Sequence, residues 1–384
     1  MSLLAAFAWF ASSLSDGSAQ EAAAANVPAG MAAFFAYGSC PVGWKSVANA
    51  AGRLIVGTIK KPDQVGKLVG RPLGSGEDRR HAHSSFTVRV TLPYQKLAGV
   101  HGCCNDSGTE MGEYQARSPV PEATSGLPFA QYAFCEPDPS HSPAGTPGQK
   151  WSVGTVSFFT SPDCPTGWEP YERADGFFVV PTVSNDERVG KTYGTPVADE
   201  LQPHGHAVST KFTTQKVNYA LATSFLGRAN KEVARHGTYK LTGSTTTEKV
   251  DLPFIKLNIC QIQDKTVATS TIPGGLTVFV GAQRCERESG WENAPGSQGR
   301  YLVALPEGGE PGLPFGGPPL TPGELRAHTH KVAGSVTLPI YRIAGATGCC
   351  AEWYARQGTY SFSGMTDPGV IELPYVSLRH CVHR

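Results

Sequence analysis

Three stretches decide how this chain reads: GEDRRHAHSSFTVRV (residues 76–90), ADELQPHGHAVSTKF (198–212) and GELRAHTHKVAGSV (323–336). Each carries a His-x-His pair, namely His81 and His83, His204 and His206, His328 and His330. Each also places a glutamate four residues ahead of its first histidine: Glu77, Glu200 and Glu324. Six of the eleven histidines fall in these pairs. One such pair is commonly an accident of surface or core, but three at equivalent places are the mark of a repeat.

Working outward, the same order of motifs surrounds every pair. Upstream lie CPVGW (40–44), CPTGW (164–168) and the stretched CERESGW (285–291), each with a phenylalanine (Phe34, Phe158, Phe279) six residues ahead of the cysteine. Apolar runs follow: GRLIVG (52–57), GFFVVP (176–181) and GRYLVALP (299–306). Downstream, each repeat closes on Leu-Pro-aromatic and a cysteine: Leu127 to Cys135, Leu252 to Cys260, Leu373 to Cys381. The repeats therefore span 31–136, 154–261 and 276–384. The Pro-, Gly- and Thr-containing stretches 136–150 and 263–275 read as turn-like linkers.

The ten cysteines fit this frame. Opening and closing cysteines are 95, 96 and 96 residues apart, which predicts one disulfide per repeat: Cys40–Cys135, Cys164–Cys260 and Cys285–Cys381. Cys103-Cys104 and Cys349-Cys350 occupy matching Gly-Cys-Cys sites in repeats 1 and 3, either as vicinal disulfides or paired with each other across repeats.

Composition narrows the class. The 44 glycines and 30 prolines among 384 residues imply many turns and few long helices. Alternating β-branched runs such as Phe86–Val90 read as strands, and residues 220–233 are the best helical candidate. The expected class is all-β or β-rich with long loops, as three tandem homologous repeats around a pseudo-threefold axis. A formal net charge of +1 excludes a broad electrostatic footprint for nucleic acid, and no apolar run reaches membrane-span length. The apolar stretch 3–14 followed by small residues predicts a signal peptide over 1–19 with cleavage near 17–19, and 20–30 an unstructured lead-in. Export into an oxidising, extracellular setting would suit the cysteines. Asn105-Asp106-Ser107 is then a glycosylation acceptor.

In a strand, side chains two apart share a face, so both imidazoles of a pair point the same way. Three pairs around a threefold axis bring six nitrogens together, a set that suits one octahedral divalent transition metal better than tetrahedral zinc. Saturated ligation leaves no open position for chemistry, so the metal would be a structural staple. The three glutamates are candidates to accept the other ring N–H of the ligands. The repeated Trp44, Trp168 and Trp291 are expected beside the disulfides in the core. Residues 189–192 (VGKT) are no phosphate loop: Asn185 stands where its first glycine would be, and repeat 1 has the same Val65-Gly66-Lys67. Metalloprotease, thiol-redox and serine-hydrolase signatures are missing from the sequence, and no enzymatic activity is expected.

The combination of C-P-x-G-W, G-R-[LY]-[IL]-V, His-x-His and closing L-P-[FY]-x-x-[AL]-x-x-C resembles bacteriophage tail-collar and tail-fibre modules. In such fibre tips three chains each supply a His-x-His, and six imidazoles hold one iron on the trimer axis. The resemblance implies His81, His83, His204, His206, His328 and His330 as ligands here and iron(II) as the metal, with zinc or nickel as alternatives. It differs in placing three complete repeats in one chain behind a signal-like N-terminus. The expected function is a secreted, non-catalytic binding or adhesion protein that recognises extracellular glycan or protein through surface loops. The alternative is a self-assembling structural subunit of a wall, matrix or surface filament.

Overall fold

The computed structural model describes residue 27 onward, apart from 29, 37–38, 96–104, 142–145, 150, 152–153, 183–188, 218–232, 264–269, 282–283, 286, 295, 307–308, 312–313 and 344–353. The predicted signal peptide, most of the lead-in and nearly all of the helical candidate 220–233 therefore lie outside the described residues. So do Cys103, Cys104, Cys349 and Cys350.

The protein is β-rich, and helix is confined to four single-turn 3-10 segments among the described residues. Each repeat contributes the same five principal strands. In repeat 1 these are β1 (Met31–Phe35), β2 (Leu54–Thr58), β3 (Phe86–Leu92), β4 (Gly112–Ser118) and β5 (Pro128–Pro137). In repeat 2 they are β6 (Thr155–Phe159), β7 (Phe178–Thr182), β8 (Ala207–Thr213), β9 (Thr238–Thr245) and β10 (Phe254–Ile262). In repeat 3 they are β11 (Thr277–Val280), β12 (Tyr301–Ala304), β13 (Lys331–Leu338), β14 (Gly358–Met365) and β15 (Tyr375–His383).

Opening and closing strands of one repeat pair antiparallel: β1 with β5, β6 with β10, β11 with β15. That register sets Ala33 opposite Cys135, Ser157 opposite Cys260 and Val278 opposite Cys381. All three expected disulfides are present, with Cα separations of 5.8, 5.9 and 5.8 Å. Trp44, Trp168 and Trp291 are buried in the same apolar cluster as the closing cysteines.

The repeats do not fold as separate sheets. Each closing strand also runs parallel to the second strand of a different repeat: β5 with β12, β10 with β2, β15 with β7. These ladders join repeat 1 to 3, 2 to 1 and 3 to 2 within one large mixed sheet. Strands buried on both faces should read as continuous apolar runs, and β2, β7 and β12 do so, every residue being buried. The glycine that opens each run is required by its backbone. Gly52, Gly176 and Gly299 have φ of +69°, +79° and +67°, and a Cβ there would come within 2.4, 2.8 and 2.8 Å of Leu73 O, Pro196 Cβ and Leu320 O.

The linkers are more than turns: Thr146–Gln149 and Ser270–Ile272 pair antiparallel with each other. Beyond the sheet, three hairpins, β3–β4, β8–β9 and β13–β14, alternate buried and exposed residues. Their inner faces share one core that includes Phe86, Val88, Val208, Phe212, Val336 and Phe362.

Candidate metal centre

In each repeat the chain passes from the large sheet to its hairpin through the His-x-His. His81 and His328 end short two-residue strands paired with Ala123 and Gly369, and His204 bridges Glu248. Each second histidine stands just before β3, β8 or β13. All six rings are buried, and one ligand atom from each lies within 4.8 Å of every other.

The Nε2 atoms of His81, His204 and His328 form a triangle with sides of 3.2, 3.2 and 3.0 Å. His330 Nε2 caps one edge, 3.2 Å from His328 Nε2 and 3.3 Å from His81 Nε2. Around a metal with M–N near ~2.1 Å, adjacent ligands of an octahedron are ~3.0 Å apart and opposite ones ~4.2 Å. The observed spacings match the adjacent edges.

The tautomers point the same way. His83 Nδ1 donates to Thr246 O at 2.7 Å, His206 Nδ1 to Asp367 O at 3.1 Å, and His330 Nδ1 to Pro121 O at 3.1 Å. A carbonyl can only accept, so each of these rings carries its proton on Nδ1 and its lone pair on Nε2. His330 Nε2 thus turns its lone pair toward two other ring nitrogens, and His83 Nε2 and His206 Nε2 are buried with no partner among the described residues, as nitrogens left for a cation would be. Nδ1 of His81, His204 and His328 is likewise buried without a partner among the described residues.

Electrostatics keep the rings in the ligating form. Burial first, then neighbouring imidazoles, push His81 down to about 3, His204 to about 4 and His328 to about 2. His206 is pushed down to about 4, chiefly by burial, and burial also lowers His83 and His330. All six imidazoles are therefore neutral at pH 7 and present nitrogen lone pairs.

The three glutamates do not orient the histidines. Glu77 accepts from Arg79 Nε at 2.5 Å and Glu324 from Arg326 Nε at 2.5 Å, while Glu200 pairs with Lys249. The arginines then reach backbone carbonyls of a different repeat, Asp251 O at 2.7 Å and Gly126 O at 2.9 Å. The ring partners are carbonyls six residues ahead of each closing Leu-Pro: Pro121, Thr246 and Asp367. Any residue type supplies a carbonyl, so no side-chain pattern marked them. Thr245 and Thr366 add hydroxyls that accept from His206 N and His330 N at 2.9 Å each, and Val120 holds the corresponding place in repeat 1. Glycosylation candidate Asn105 begins a short strand that pairs with Ile343 through the backbone.

The fold and the site define a β-rich protein with, among the described residues, three disulfides in its sheet and a buried six-histidine cluster beside its hairpins. No family model, curated protein or solved structure matches it. Among the described residues, no helix is long and apolar enough to cross a membrane.

Proposed function

We propose that this chain is a secreted, non-catalytic binding module in which six histidines hold one octahedral divalent transition metal, iron(II) by resemblance to tail-fibre tips. One observation carries the reading: six neutral imidazoles from three repeats of a single chain converge within 4.8 Å of one another, four of them at the spacing of octahedral edges. Six nitrogen ligands fill the coordination sphere, leaving no site for a substrate or an activated water, so the metal is structural. The cyclic order of the parallel ladders supports a pseudo-threefold axis through the cluster. Three disulfides support export, because such bonds persist in oxidising compartments. Loops on this rigid scaffold would carry recognition of extracellular glycan or protein.

The test is elemental analysis and solution molar mass on the same sample, purified under reducing-metal conditions that preserve iron(II). One transition metal per monomeric chain is expected. A chain that stays metal-free when offered iron, zinc and nickel would overturn the metal reading. A defined polymer would favour the structural-subunit alternative.

A further inference from the structure

We propose that the seam between β8 and β14 is a groove for an acidic polysaccharide, gripped by Lys211 and Lys240. This deepens the binding-module reading by naming a surface and a ligand class, and it rests on that reading.

The groove has a volume of about 520 Å³ and is lined by Ser209, Thr210, Thr238 and Ser363 together with the two lysines and Gly364. Strands β8 and β14 meet at Val208 and Thr366, and Thr210 Oγ1 donates to Ser363 O at 3.0 Å. On the β8–β9 ladder Lys211 stands directly opposite Lys240. Like charges in that relation destabilise a sheet, and neither ammonium has an ion-pair partner among the described residues.

The fold does not demand this pair. At the same register position β3–β4 sets Arg89 opposite Gln115, and Arg89 lies 3.5 Å from Glu113. At that position β13–β14 sets Ser335 opposite Ser361. One repeat thus neutralises its cation, another has none, and only the middle repeat opposes two cations. Strands β8, β9, β13 and β14 contain Lys211, Lys240 and Lys331 and no aspartate or glutamate.

An uncompensated cation pair in a hydroxyl-lined trough complements an anionic sugar chain. The ammonium groups are mobile point charges for sulfate or carboxylate, and the hydroxyls both donate and accept toward sugar hydroxyls. An extended peptide would need pockets for its alternate side chains, and the lining offers no apolar side chain.

The experiment titrates the full metal-loaded protein by calorimetry with four probes: a size-defined heparin oligosaccharide, an oligogalacturonate, neutral dextran and polyglutamate. Saturable binding of at least one acidic glycan is expected, weakening with salt, with none of dextran. The sulfated and carboxylated probes distinguish which anion the groove prefers. The double variant Lys211→Ser, Lys240→Ser should lose about tenfold or more in affinity at unchanged Tm, because repeat 3 already carries serines there. Lys211→Glu should abolish binding without lowering Tm, since it creates an opposite-charge cross-strand pair. Arg89→Ser should leave affinity unchanged. Equal affinity of wild type and the double serine variant, failure to bind either acidic glycan, or polyglutamate bound as tightly as the glycans would each overturn the proposal. Metal content and molar mass of the same sample report separately on the underlying reading.

Discussion

The large sheet and the hairpin bundle join the same three repeats by different means. In the sheet, parallel ladders of four or five residue pairs tie the repeats to one another through backbone hydrogen bonds, and a disulfide closes each repeat on itself. In the hairpin bundle a ladder joins one pair of repeats, β9 to β3, while β8 meets β14 and β4 meets β13 mainly through side chains. The histidine cluster sits where one regime passes into the other. Backbone ladders close without a cofactor; a bundle whose seams rest on side chains needs something at its root to fix the relative positions of the hairpins. That is the role we propose for a metal held by the six imidazoles.

If the proposed metal is present, the largest effect should come from removing it. Structural sites of this kind contribute on the order of 10 kcal/mol, and the loss should fall unequally. Hydrogen exchange after chelation is expected to rise in β3, β4, β8, β9, β13 and β14 while β5, β10 and β15 stay protected. Equal deprotection of both regions would break the comparison. Acid should act in the same direction. The unfolded chain protonates its histidines near pH ~6.5, whereas His81, His204, His206 and His328 in the folded protein do so only near 2 to 4. Folding therefore releases protons below pH ~6.5, and stability falls as pH drops from there toward 4. Tm measured across that range, with and without metal, checks the sign.

A smaller effect belongs to the sheet. Replacing Cys40 and Cys135 by serine opens a loop of 95 residues and should cost about 4–5 kcal/mol in the chain-entropy picture. Denaturant unfolding should register the loss, while metal stoichiometry stays at one per chain. Loss of metal from this variant would show that the two regions are not separable.

The smallest effects sharpen the picture at single bonds. Thr366→Val removes the hydroxyl that accepts from His330 N and should cost about 1–3 kcal/mol, read from denaturant unfolding, because a buried donor is left unpaired. Tyr239→Phe should cost about 1 kcal/mol by the same measurement. Its hydroxyl returns to the carbonyl of Arg235, as Tyr114 returns to Glu110 and Tyr360 to Arg356, so each hairpin has one such corner.

Much of this was legible in the order of residues. The His-x-His sets, the disulfide partners and the β-rich class follow from side-chain identities that recur at fixed spacing. The repeated Gly-x-Tyr at Gly112, Gly237 and Gly358 is equally visible, but only the fold shows where each tyrosine hydroxyl goes. The glutamates turn away from the histidines because a carboxylate four residues before a histidine is also two before an arginine in repeats 1 and 3, and the nearer cation takes it.

By itself, then, the sequence determined which groups exist and how often: three copies of the same strands, three cysteine pairs and six imidazoles. Only the tertiary structure decided which repeat supplies the neighbour. The parallel ladders exchange closing strands between repeats, and the histidines of one repeat lean on carbonyls of the next. Those contacts run through backbone atoms that every residue shares, so side-chain identity carries no record of them until the chain is folded.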